Sequence, residues 1–115
     1  QEKYFAACDA YESFLRDEQL PHEYYEKALP SREELIGIYK YIGTQRLILT
    51  AESLYARLGT KGMNAFKLLV CLDAFKETGL VAVEGHKKRI QLLKPSARVD
   101  IMSAPTMVKL KNLIG

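Results

Sequence analysis

A chain of 115 residues, 48% of them hydrophobic, can close one buried core and is too short for two. Charged residues at 27%, with no proline-, glycine- or serine-rich tract, exclude extended disorder, and no apolar run approaches the ~20 residues of a membrane span. The net charge of +3 admits a polyanion without requiring one, and Cys8 and Cys71, at apolar helical positions and in no paired spacing, read as reduced thiols of a cytoplasmic protein.

In chain order, Tyr4, Ala7, Cys8, Tyr11, Phe14 and Leu15 recur at three- and four-residue spacing and predict an amphipathic helix. A short second helix is expected over residues 22–29, between Pro21 and Pro30. Ser31 followed by Glu34 has capping-box spacing and opens a third helix with Leu35, Ile38, Tyr39 and Ile42 on its inner face and Gly43 at its end. Leu47, Ile48 and Leu49 form an apolar run too short for a helix and predict a strand ending at Thr50, which caps a helix over residues 51–58. A longer helix is expected to start near residues 60–63 and to stop at Gly79. Strands at 80–84 and 89–93 flank a basic turn, Gly85, His86, Lys87 and Lys88. Val99 and Ile101 are expected to be extended, and a last helix over residues 104–113 is expected to be capped by Ser103, with Pro105 in its first turn.

From residue 31 the order is helix, strand, helix, turn, helix, strand, basic turn, strand, the order of a winged helix-turn-helix. Three helices cannot close their core alone, so the hairpin covers the open side and the short strand can join it as a third. The expected fold class is therefore α+β: a winged helix-turn-helix at 31–95, a three-helix core with a small antiparallel sheet, preceded by an N-terminal helical arm at 1–30 and followed by a C-terminal extension with a helix at 96–115. The sequence starts at Gln1, Glu2 and Lys3 with no targeting segment and reads as a piece of something longer.

The segments LPSREELIGIYKYI at 29–42, DAFKETGLVAVEG at 73–85 and KPSARVDIMSAPTMVKLKNL at 94–113 resemble the C-terminal region of RecJ-type single-stranded-DNA-specific exonucleases. The likeness lies in packing and turn patterns, not in a chemical signature. It implies a parent enzyme that hydrolyses single-stranded DNA from the 5′ end in repair and recombination, with manganese or magnesium held by aspartates and histidines in domains N-terminal to this one. This chain has no Asp-His-His run, and His22 and His86 are far apart, so no catalytic residue, metal ligand or cofactor is assigned here. The partners implied are single-stranded DNA and the catalytic core of the parent enzyme, with no membrane and no small-molecule ligand expected.

Nucleic-acid contact is sought in the second half, because residues 9–34 are rich in acids and residues 86–89 read His-Lys-Lys-Arg. Lysines on a hairpin tip reach a phosphate without burying their stems, so His86, Lys87, Lys88 and Arg89 are the first candidates; the competing reading is a solvated turn. Lys61, Asn64 and Lys67, near the start of the long helix, suit the groove-reading position of a winged helix. Yet Phe66, Leu68, Leu69, Val70, Cys71, Leu72 and Phe75 make that helix apolar almost all round, which predicts a central packing element covered by the N-terminal or the C-terminal helix. Among the tyrosines, Tyr41 lies off the buried face and near Lys40 and Arg46, and so is the ring best placed to stack a base. Tyr39 is expected in the core, and Tyr24 and Tyr25 sit among acids. His22 and Glu26 have the spacing of a metal pair but no third ligand in sequence. The rival classes are a free-standing winged-helix transcription regulator, which needs an exposed polar third helix, and a protein-interaction module that touches no nucleic acid.

Overall fold

The computed structural model describes residues 2–93 and 98–115, and most of its helices begin where a side chain can satisfy an unpaired backbone N–H. Helix α1 is Glu2–Leu15 and α2 is His22–Ala28. Helix α3, Arg32–Thr44, opens on the expected reciprocal cap: Glu34 N–H donates to Ser31 Oγ at 3.1 Å, and Ser31 N–H donates to the Glu34 carboxylate at 3.0 Å. Thr50 and Ser53 make the same exchange at the start of α4, Ala51–Leu58. Helix α5, Ala65–Glu77, is capped by Asn64, whose side-chain oxygen accepts from Lys67 N–H at 3.0 Å.

That cap corrects the expected start of the long helix at 60–63. Residues Gly59–Lys61 form one 3-10 turn, and Gly62, at φ +89°, breaks the helical path before Asn64 restarts it. The first strand is also shorter than expected: β1 is Leu49–Thr50 alone, and Leu47 and Ile48 are 71% and 70% exposed. Leu15 lies outside the buried face of α1, because the helix ends there and Asp17 turns the chain at φ +61°. Ile101 belongs to a 3-10 turn, Ile101–Ser103, and is not extended.

The last helix, α6, is Pro105–Ile114, and Ser103 does not cap it, since its hydroxyl donates to Asp100 C=O at 2.9 Å. The cap comes from another element. Glu77, at the end of α5, accepts from the Thr106 N–H at 2.9 Å and from the Thr106 hydroxyl, tying the two helices together.

The chain is α+β, with six α-helices and a three-stranded antiparallel sheet of order β1-β3-β2 among the described residues. Strands β2, Val81–Glu84, and β3, Arg89–Leu92, pair through Val83↔Ile90 and Glu84↔Arg89, and β1 joins through Leu49↔Ile90. Alternation along the strands turns Leu49, Val81 and Ile90 into the core and leaves Arg89 and Gln91 outside.

One hydrophobic cluster takes residues from α1 through α6, with α5 at its centre. Phe66 and Val70 are 2% and 0% exposed, as the all-round apolarity of the helix predicts. Tyr11 and Phe14 of α1 pack their rings 5.3 and 5.8 Å from Phe66, and Tyr11 donates its hydroxyl to Asp73 on α5. Tyr39 is half-buried against Phe75, in keeping with its expected core position. Segments 1–30, 31–95 and 96–115 thus all contribute to the same core, and the 95/96 boundary lies outside the described residues.

Candidate nucleic-acid interface

The hairpin tip is a four-residue turn, Gly85–Lys88, held where the sequence placed it. Gly85 and Lys88 adopt φ +73° and +54°, and the turn is closed by Lys88 N–H on Gly85 C=O at 3.1 Å. Its position is set from outside as well: Ala51 N–H, the first of α4, donates to Lys88 C=O at 3.0 Å. The tip is therefore pinned to the start of α4. His86 and Lys87 are exposed, Lys88 is half-buried, and among the described residues none of the three forms an ion pair. Arg89 is exposed on β3 and not in the turn, directly across from Glu84, so part of its field is offset.

The other four candidates lie elsewhere. Asn64 uses its side chain as the cap of α5, and Lys67 pairs with Glu34 at 2.9 Å with its side chain largely buried. Burial works to raise the Glu34 carboxyl, but the hydrogen bonds from Ser31 and Lys67, together with the Lys67 charge, outweigh it and hold the group below its ordinary value. Lys67 is thus engaged in joining α3 to α5, and Asn64 in starting α5. Lys61 and Tyr41 form a second feature, in which the exposed Lys61 ammonium lies 5.8 Å from the centroid of the half-buried Tyr41 ring, itself packed against the core. Gln45 links this feature to Arg57, which donates to its side-chain oxygen at 2.9 Å. Helix α4 spans about 12 Å between the tip at its start and Lys61 beyond its end, so the sequence candidates make two separate basic features and not one patch.

A groove-inserted recognition helix requires one polar exposed face. In α5, residues 65, 66, 68–72, 74 and 75 are all buried, so α5 acts as a packing element. His22 and Glu26 do meet, at 3.2 Å, with both side chains mostly exposed, and among the described residues no group of three His, Cys, Asp or Glu side chains is placed to hold a metal ion. Among the described residues, no helix is long and apolar enough to cross a membrane.

Phe5 was not singled out by its sequence position. It lies off the buried face of α1, it is 55% exposed, and α1 carries it to the hairpin tip, where both line one groove. The only signal in the sequence was a large ring on the polar side of an amphipathic helix. No family model, curated protein or solved structure matches this chain.

Proposed function

We propose that the chain is a winged-helix accessory domain of a single-stranded-DNA 5′-to-3′ exonuclease acting in repair and recombination, without a catalytic centre of its own. In this reading the domain guides the strand along its backbone and reads no bases in a duplex groove. The observation that carries it is the contrast between α5 and the tip: the helix in the reading position is buried along its length, while the basic turn Gly85–Lys88 is presented to solvent. The order α3, β1, α4, α5, β2, β3 and the β1-β3-β2 sheet support the winged-helix assignment. Burial of α5 disfavours a transcription regulator that inserts this helix into a major groove.

A second reading, docking on the catalytic core of the parent enzyme, is favoured by Leu47 and Ile48, two adjacent aliphatic side chains left in water beside the sheet edge. The two roles occupy different surfaces and are compatible. Binding of a labelled 20-nucleotide single strand and of the matching duplex, measured by fluorescence anisotropy at low salt, separates them. The strand-guiding role predicts tighter binding to the single strand with little dependence on sequence. Absence of binding to either would overturn that role and leave docking.

A further inference from the structure

The tip does not stand alone. Between α1, the start of α4 and the turn lies a groove of about 550 Å³, lined among others by Phe5, Glu12, Glu52, His86, Lys87 and Lys88, within the ~300–1,000 Å³ usual for small-ligand sites. Phe5 is held as a platform: its ring meets Tyr4 edge-on at 5.7 Å, and Tyr4 is in turn stacked on Tyr55 at 6.0 Å. Lys88 keeps a left-handed backbone, φ +54°, where a glycine would be less strained. Among the described residues, neither Glu12 nor Glu52 takes part in an ion pair.

An exposed ring beside two lysines is what a single strand uses, the base stacking on the ring and the phosphate meeting the ammonium groups. The two carboxylates add a base-edge element, because they accept hydrogens from an exocyclic amino group and repel carbonyl oxygens.

We propose that this groove is a one-nucleotide subsite: Phe5 stacks the base, Lys87 and Lys88 hold its phosphate, and Glu12 and Glu52 select bases that carry an amino group. Cytosine is then preferred over thymine. This rests on the strand-guiding reading above and adds to it a site and a base preference.

The test is anisotropy of the full chain with labelled oligo-dC and oligo-dT of equal length at low salt, together with a poly-glutamate peptide. Variants are Phe5→Ala, Phe5→Tyr and the double Glu12→Gln, Glu52→Gln, each checked for unchanged melting. The expected results are tighter binding of oligo-dC than of oligo-dT, loss on the order of tenfold with Phe5→Ala for a stacked base, retention with Phe5→Tyr, and collapse of the dC preference in the double variant. If the wild type binds neither oligonucleotide, both the strand-guiding reading and the subsite fall. If it binds but Phe5→Ala and the double variant match it, the subsite alone is overturned. Binding of poly-glutamate in place of the oligonucleotides, lost in Phe5→Ala, would assign the groove to a peptide and overturn the nucleotide.

Discussion

Replacing Phe66 by alanine removes the ring at the junction of α1 and α5. That ring is 2% exposed and lies within 6 Å of three others, Tyr11 at 5.3 Å, Phe14 at 5.8 Å and Tyr24 at 5.9 Å. A buried phenylalanine truncated to alanine costs about 3–5 kcal/mol, from lost transfer energy and from the cavity left behind. Against a total stability of about 5–15 kcal/mol, this is a large fraction. With a urea dependence of about 1–3 kcal/mol per molar, the unfolding midpoint falls by roughly 1 M or more. Urea unfolding followed by far-ultraviolet circular dichroism reads it directly, with Phe5→Ala as the comparison, expected within about 0.5 kcal/mol of wild type because Phe5 is mostly in water. A midpoint for Phe66→Ala indistinguishable from that of Phe5→Ala would refute the packing of α1 on α5, and with it the argument that α5 is closed to DNA.

Three further outcomes follow from the same contacts. Glu77→Ala leaves the Thr106 N–H and hydroxyl without their partner and is expected to cost about 1.5–3 kcal/mol by thermal or urea unfolding; wild-type stability would show that the cap is supplied by water. Because the Glu34 carboxyl is held below its ordinary value in the fold, its contribution is present above about pH 4.3 and is lost as pH falls through the lower folded-state value. Glu34→Gln should therefore be less stable at neutral pH and lose less on acidification, and parallel pH–melting curves would contradict this. Burial pushes the Cys71 thiol up to about 12 and shields it fully, whereas Cys8 is half-exposed, so a thiol reagent at neutral pH should modify one cysteine in the native chain and two in urea. Two rapid reactions in the native state would contradict the burial of α5.

What could be read from the sequence was what depends on residues three or four apart. Ser31 with Glu34, and Thr50 at the start of α4, announce their helices because both halves of each hydrogen bond lie within one turn. The hairpin was legible for the same reason, with Gly85 supplying a positive φ between two alternating runs. Features that need a distant partner were not legible. Ser103 looked like a cap until Glu77, contributed by α5, took the Thr106 N–H. Leu47 and Ile48 have strand-like composition, but β3 pairs with only two residues of that run, Leu49 and Thr50. Lys67 looked free to meet a phosphate until the fold brought Glu34 of α3 to it, whereas Asn64 is taken by a local cap, its side-chain oxygen accepting from Lys67 N–H three residues on. Phe5 became a candidate only because α1 folds back beside the tip.

We propose that the basic tip contacts a strand through its phosphates. The most direct test is the slope of log binding constant against log salt for a single-stranded oligonucleotide, compared between the wild type and the triple variant Lys87→Ala, Lys88→Ala, Arg89→Ala. Each phosphate contact on a single strand contributes about 0.7 to that slope, so three lost contacts should flatten it by about 2 and weaken binding across sequences alike. A variant that binds with the wild-type slope and affinity would contradict the claim and place the strand, if it binds, elsewhere on the molecule.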